Sequence, residues 1–310
     1  MTTVFIDGAE GTTGLRIRQR LAGREDIRLI AIDEALRKDP AARRACIEAS
    51  QITILCLPDA AAVEAGELAR GTRARIIDAS TAHRTQPGWA YGFPELSAAH
   101  REAVICGDRV SVPGCHASGM IALVYPLISS GALPADYPVT CHSVTGYSGG
   151  GRKMIAQYED DARDAALDSP RQYGLGQNHK HLREMTKVTG LEYPPIFHPI
   201  VADFYSGMVV TVPLFPRLLP GCPTKADLHA LLAGHYAGQK LVRVLPMDDE
   251  TMFAANALSG RDVMELSVFG NDERVTLCAR FDNLGKGASG AAIQCLNLMC
   301  GVDEDRGLVL

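Results

Sequence analysis

The chain has 310 residues, 46% of them apolar and 22% charged, with a formal net charge of −5, a composition that excludes a disordered chain and is large enough for two domains with cores of their own. The mild negative charge, with no cluster of Lys and Arg, gives no electrostatic footprint for nucleic acid. No basic leader with an apolar stretch behind it opens the sequence, and no apolar run approaches the roughly 18 residues of a membrane span, so the expectation is a cytoplasmic protein without a membrane partner.

The first elements read as strand, glycine turn and helix. Residues 4–6 form a short apolar strand, Asp7-Gly8-Ala-Glu-Gly11-Thr-Thr-Gly14 follows, and 15–21 is amphipathic. The glycines fall as G-x-x-G-x-x-G, a variant of the dinucleotide fingerprint in which small residues let a pyrophosphate approach backbone N–H groups at a helix N-terminus. Thr12 and Thr13 add hydroxyl donors. Strands at 27–32, 52–57 and 74–78 then alternate with helices at 41–48 and 60–68. Such alternation predicts a doubly wound parallel sheet of the Rossmann type. Asp33 and Glu34 end the second strand, where an acid suits the ribose of NAD, yet Arg37 and Lys38 follow and suit the 2′-phosphate of NADP. Spacing leaves that choice open. Leu57-Pro58-Asp59 ends the third strand at the edge where ligands of open α/β sheets bind, and is expected to border the nicotinamide ribose.

Pro113-Gly114 breaks a strand at 109–112, and 117–128 reads as a buried helix, so Cys115 sits where the helix begins. A helix N-terminus lowers a thiol's pKa, and the thiolate is the form that attacks a carbonyl carbon. The chain has nine cysteines and none forms a C-x-x-C pair. Cys56, Cys106, Cys141 and Cys278 lie in apolar, strand-like runs, and Cys295 and Cys300 in an apolar helix. Scattered thiols in odd number fit a reducing compartment better than a disulfide framework or a zinc site, and no metal is expected.

In the second half, Cys141-His-Ser-Val-Thr-Gly146-Tyr-Ser-Gly149-Gly-Gly-Arg152-Lys153 begins as a strand and reads on as a glycine and hydroxyl loop with paired cations at its end, a loop able to hold an anion. His179 and His181 stand near the start of a helix as candidates for general acid and base, with Glu184 near enough to orient a ring or bind substrate. Strand-like runs at 197–201, 206–214, 241–245, 264–270 and 274–281 suggest a mixed or antiparallel sheet. Asp282-Asn283-Leu-Gly285-Lys286-Gly-Ala-Ser289-Gly290 then leads into an apolar helix, with small residues that allow close approach to a cofactor.

Taken in order, Gly8-Ala-Glu-Gly11-Thr-Thr-Gly14, Asp78-Ala-Ser80-Thr-Ala-His-Arg84, Tyr91-Gly-Phe-Pro-Glu95-Leu, Pro113-Gly-Cys115, Gly149-Gly-Gly-Arg152, His179-Lys-His181 and Asn283-Leu-Gly-Lys286-Gly-Ala-Ser-Gly290 closely resemble the shorter class of the N-acetyl-gamma-glutamyl-phosphate reductases, within the semialdehyde dehydrogenase superfamily. The longer class has Tyr-Pro-Thr after the cysteine where this chain has His116-Ala-Ser. The resemblance implies an NADP domain over 1–114 completed by a helix of about 285–310, and an α+β substrate and oligomerisation domain over 115–284 with a mixed sheet. It implies NADPH-dependent reduction of N-acetyl-glutamyl 5-phosphate through a thioester on Cys115, by a homo-oligomer, dimer or tetramer. His179 is the favoured acid and base by the family pattern, with His181 as the alternative. Arg84, Arg152, Lys153 and Glu184 are expected at the small-molecule substrate. Gly8, Gly11, Thr12, Thr13, Gly14, Arg37, Lys38, Pro58, Ser80, Asn283, Gly285 and Lys286 are expected at the cofactor. Aspartate-semialdehyde dehydrogenase is the nearest alternative, and a non-catalytic nucleotide-binding redox sensor is the alternative from another class.

Overall fold

A computed structural model describes residues 1–248 and 250–310. Two compact units emerge, Met1–Pro113 with Ala288–Leu308, and Gly114–Gly287 with Val309–Leu310. In the first, β1 (Thr2–Asp7) runs through the glycine turn into α1 (Thr12–Leu21). Then come β2 (Ile27–Ile30), α2 (Pro40–Ala49), β3 (Ile52–Leu55), α3 (Asp59–Leu68), β4 (Arg75–Asp78), β5 (Ala90–Tyr91), α4 (Ala98–Cys106) and β6 (Arg109–Ser111). All strand pairs are parallel, in the order β2-β1-β3-β4-β6-β5. Ile52 to Leu55 are buried on both faces, as a central parallel strand covered on each side requires. The order reverses between β1 and β3, which makes the carboxyl ends of these two strands the switch point where such sheets bind ligands.

The second unit holds α5 (Cys115–Ser129), β7 (Thr140–Gly146), α6 (Gly151–Tyr158), β8 (Arg171–Gln172), α7 (Leu182–Thr189), β9 (Ile196–Ala202) and β10 (Met208–Leu214). It continues with α8 (Lys225–His235), β11 (Val242–Val244), β12 (Met264–Asn271) and β13 (Arg274–Phe281). Its seven strands form a mixed sheet in the order β11-β12-β13-β10-β7-β9-β8. The β7–β9 and β11–β12 pairs are parallel and the others antiparallel. Period-2 burial of Met208, Val210, Val212 and Leu214 gives β10 one apolar face. The nearly all-apolar α5 lies on that face. At Gly119 a Cβ would come within 2.5 Å of Val210 Cγ2 and 2.8 Å of Phe281, so only glycine lets the helix sit so close. The N-terminus of α5 is thereby fixed on a rigid sheet.

The last helix, α9 (Gly290–Cys300), belongs to the first unit and covers one face of its sheet. There Ala292, Ile293 and Leu296 join Val4, Ile6, Ile54 and Ile77 in one core. Phe5, Leu55 and Ile76 point to the other face, against Ile47 of α2 and Ala62 and Ala65 of α3.

Two local readings are corrected. Cys106 closes α4 and is exposed rather than lying in a strand, because Ser97 caps a helix by accepting the His100 N–H at 3.2 Å. The glycine loop is shorter than its composition suggests. Gly150 is already the N-cap of α6, so Arg152 and Lys153 stand on the first turn of a helix rather than at the end of a loop. Among the described residues no helix is long and apolar enough to cross a membrane, and no disulfide joins any two cysteines.

Candidate active site

Backbone builds a candidate cofactor site in the first unit. A cavity of about 710 Å³ opens at the carboxyl ends of β1 and β3, bordered by Gly8, Gly11, Arg18, Arg37, Lys38 and Pro58 among others. Gly8 has φ +87°, and a Cβ there would collide with the Cys56 carbonyl oxygen; one on Gly14 would collide with the carbonyl oxygen of Gly8. The tight turn therefore excludes larger residues at both positions. Gly11 is the N-cap of α1 and makes no side-chain cap, so the first-turn N–H groups, beginning at Thr12 and Thr13, face outward without a competing side chain. A cradle of bare N–H groups with cations at its rim fits a dinucleotide.

The acids at the end of β2 do not play equal parts. Asp33 turns its Oδ1 to the N–H of Ala35 at 2.9 Å and so caps a short turn, while Glu34 borders the cavity and pairs loosely with Arg37 at 3.5 Å. At the foot of the cavity Asp7 is buried against Arg43 at 2.9 Å, and Arg43 also reaches Glu64 at 2.6 Å. Burial raises the Asp7 carboxyl above the usual carboxylate range, and the guanidinium opposes that rise. After β4, Ser80 Oγ donates to the fully buried Asp78 at 2.7 Å, where His83 Nδ1 also sits at 2.6 Å. Arg84 donates from Nε to the carbonyl of Val112 at 2.8 Å.

Side chains build a candidate catalytic site in the second unit. Cys115 is the first helical residue of α5, half-buried, directly after the N-cap Gly114. The Gly114 N–H donates to Glu184 Oε2 at 3.0 Å, which ties the nucleophile's loop to α7. His181 is the N-cap of α7 and is buried, with Nε2 3.9 Å from Glu184 Oε1, beyond a hydrogen bond but within ion-pair range. His179 behaves differently. Its Nδ1 accepts the backbone N–H of His181 at 3.2 Å, so in the neutral ring the proton belongs on Nε2 and the remaining lone pair is already engaged. The two rings stand edge to face, 4.7 Å apart.

Sequence reasoning missed three members of this cluster. His116, next to the nucleophile, is buried between Ser143 Oγ at Nδ1 and Tyr173 OH at Nε2, each 2.6 Å away. Its ring lies 5.7 Å from His179, 5.6 Å from His181 and 5.3 Å from Phe197. Burial, and secondarily the nearby His179, push its pKa down to about 3. Adjacency to Cys115 was the one available signal for His116; Ser143 and Tyr173 carried none. Asn283 donates to Ser148 Oγ at 3.0 Å and accepts the Gly207 N–H at 2.9 Å, binding the glycine turn to the start of β10. Gly287 passes so close to the nucleophile that a Cβ on it would lie 3.0 Å from Cys115 Cβ, while Lys286 beside it is buried and Gly285 presses on Arg261. Arg152 and Lys153 are exposed on α6.

The family pattern described as semialdehyde dehydrogenase, dimerisation domain, matches residues 115–283. The N-acetyl-gamma-glutamyl-phosphate reductase of Burkholderia ambifaria is 50% identical over 305 residues, covering 96% of each chain. The N-acetyl-gamma-glutamyl-phosphate reductase 2 of Nostoc sp. is 44% identical over 317 residues, covering 98% of each. A solved structure of a probable aspartate-semialdehyde dehydrogenase from Pseudomonas aeruginosa has a TM-score of 0.74 at 14% identity, over 96% of this chain and 98% of that one. At such low identity the likeness speaks for the fold alone.

Proposed function

The chain belongs to the N-acetyl-gamma-glutamyl-phosphate reductase family, and from that premise we propose that it converts N-acetyl-glutamyl 5-phosphate to N-acetylglutamate 5-semialdehyde and phosphate, a step of arginine biosynthesis. The observation that carries the reading is Cys115 at the first position of α5, its loop tied through Glu184 to the helix that His181 caps.

The chemistry follows from that placement. The Cys115 thiolate attacks the acyl carbon, the bond to the phosphate oxygen breaks, and a thioester remains. Held at the cavity of Gly8, Gly11, Arg37 and Lys38, NADPH would supply the hydride that reduces the thioester carbonyl. His181 gives a proton to the resulting oxyanion, then takes it back as the carbon–sulfur bond breaks, which releases the aldehyde and restores the thiolate. Glu184 supports His181 as the exchanging ring, with Nδ1, on the far side from the carboxylate, as the exchanging atom. His179, its Nδ1 lone pair engaged, serves as a donor through Nε2–H. This reverses the family-based preference for His179.

Arg84, Arg152 and Lys153 supply cations for the substrate's carboxylate and phosphate. NADP is favoured over NAD because Arg18, Arg37 and Lys38 border the cavity while Asp33 is spent on a turn. The cofactor domain is 1–114 with the C-terminal helix, and 115–284 is the catalytic domain; the division of contacts at Pro113 and Gly114 supports this. The protein works in the cytoplasm as a dimer or tetramer, and the dimerisation-domain match supports self-association.

Phosphate-dependent oxidation of N-acetylglutamate 5-semialdehyde, compared with aspartate semialdehyde and with each nicotinamide cofactor, tests the reading. The expected result is turnover of the acetylated substrate with NADP. Preference for aspartate semialdehyde, or cofactor binding without turnover of either aldehyde, overturns it.

A further inference from the structure

The hydrogen-bond chain behind Cys115 has a direction, and that direction gives a residue outside the reaction scheme above a part in the chemistry. Ser143 is fully buried on β7, and among the described residues the partner of its hydroxyl is His116 Nδ1 at 2.6 Å. A buried hydroxyl proton left without an acceptor is costly, so Ser143 donates and His116 Nδ1 accepts. His116 is neutral at working pH because burial drives its pKa down to about 3. A neutral imidazole carries one N–H, which here must sit on Nε2 and donate to the Tyr173 oxygen 2.6 Å away. The phenol therefore keeps its own proton for an acceptor other than His116.

The phenol is held in place from several sides. The Tyr173 N–H donates to the Pro199 carbonyl at 3.1 Å, next to the pairing of β8 with β9, and the Tyr173 ring lies 6.0 Å from that of His179. Burial and then negative charge on Cys115 disfavour ionisation of the phenol, so it stays protonated and within electrostatic reach of the sulfur. Phe197 packs against both His116, at 5.3 Å, and His179, at 5.2 Å, and an apolar wall of this kind strengthens a fixed donor.

We propose that Tyr173 is a catalytic residue whose O–H, aimed by the Ser143–His116 pair, donates a hydrogen bond to the charge that moves between the Cys115 sulfur and the oxygen on the acyl carbon bound to it. This deepens the proposed function and rests on it for the identity of the oxygen. Tyr173 stabilises the oxyanion as hydride arrives at the thioester carbon, and His181 remains the group that transfers the proton. Ser143 and His116 are positioning residues that act by fixing which atom of the phenol pair holds the proton.

Kinetics of Tyr173→Phe, Ser143→Ala and the double variant, with circular dichroism to confirm folding, test the chain. Tyr173→Phe keeps the ring and removes the donor, and is expected to lower kcat by about 10²-fold or more, as loss of an oxyanion donor does elsewhere, with KM changed by no more than about threefold. Ser143→Ala lets His116 adopt the other tautomer and capture the phenol proton, so kcat is expected to fall by roughly three- to tenfold, and by nothing further in the Tyr173→Phe background. A Tyr173→Phe enzyme within about twofold of wild-type kcat, or a Ser143→Ala loss undiminished in the double variant, overturns the proposal.

Absence of wild-type turnover would instead strike the proposed function, and the donor is then read on the sulfur itself. The pH dependence of iodoacetamide alkylation, followed on the Cys115 peptide by mass spectrometry, is expected to shift upward by up to about one unit in Tyr173→Phe. An unchanged midpoint in that assay overturns the donor.

Discussion

The cofactor cavity and the cysteine cluster are built by opposite means. The cavity takes its shape from a contiguous stretch, Asp7 to Gly14, whose backbone turn excludes side chains at Gly8 and Gly14. The cluster draws Cys115 from α5, Ser143 from β7, Tyr173 from beyond β8, His181 from the start of α7 and Phe197 from β9. What brings Ser143, Tyr173 and Phe197 together is the pairing of β7 with β9, in register Cys141 to Phe197 and Ser143 to Pro199, and of β9 with β8. A site made of backbone appears in sequence as a local pattern, whereas a site made of side chains appears as scattered polar residues until strands are paired.

If the two parts have separate tasks, each can be broken without the other. The largest effect is expected from Cys115→Ser. Turnover should fall by about 10³-fold or more, because an alcohol is a far weaker nucleophile than a thiolate, while NADPH affinity measured by fluorescence titration stays within about twofold. A joint loss of binding and turnover would show that the cysteine supports the cavity as well.

Within the cluster, His181→Asn should lower single-turnover hydride transfer by about 10²- to 10³-fold, in the range that proton-transfer groups contribute. His179→Asn should cost roughly tenfold, about the worth of one hydrogen-bond donor. The reverse ranking would return the proton-transfer role to His179.

A stability measurement sharpens the contrast further, since the cluster buries a histidine and the cavity does not. The unfolded chain protonates His116 near pH 6.5, whereas the folded protein resists protonation until about pH 3. The stability cost is thus absent above pH 6.5 and grows as pH falls toward 3, by up to about 1.4 kcal/mol per unit. Urea midpoints at pH 7, 6 and 5 should fall more steeply for the wild type than for His116→Gln. Parallel slopes would mean that His116 is not held neutral.

The smallest effect belongs to the rim of the cavity. Arg37→Ala with Lys38→Ala should weaken NADPH by about tenfold, the worth of one charge-assisted contact at an exposed rim, and leave NADH and saturated turnover unchanged. An unchanged ratio of the two dissociation constants would move 2′-phosphate recognition to Arg18 and the first turn of α1.

The sequence made the parallel sheet, the glycine turn and the helix-start cysteine legible, because each rests on a short-range pattern. It left the choice between Asp33 and the cations open, since whether a carboxylate caps its own turn depends on backbone geometry that the residue types do not specify. Val104-Ile105-Cys106 reads as strand by composition, and the Ser97 cap that makes it the end of a helix lies seven residues before Val104. The Tyr173–His116–Ser143 chain was illegible for a stronger reason. Its three members are ordinary residues whose meaning comes from burial and from hydrogen bonds across 57 and 27 positions of chain.

Trapping the acyl-enzyme tests the central claim most directly. The protein is incubated with N-acetyl-glutamyl 5-phosphate in the absence of nicotinamide, quenched in acid and digested. The mechanism predicts an N-acetylglutamyl thioester on the Cys115 peptide, lost on brief hydroxylamine treatment and absent from Cys115→Ser. Wild-type turnover without such an adduct, or an adduct that persists in Cys115→Ser, would contradict it.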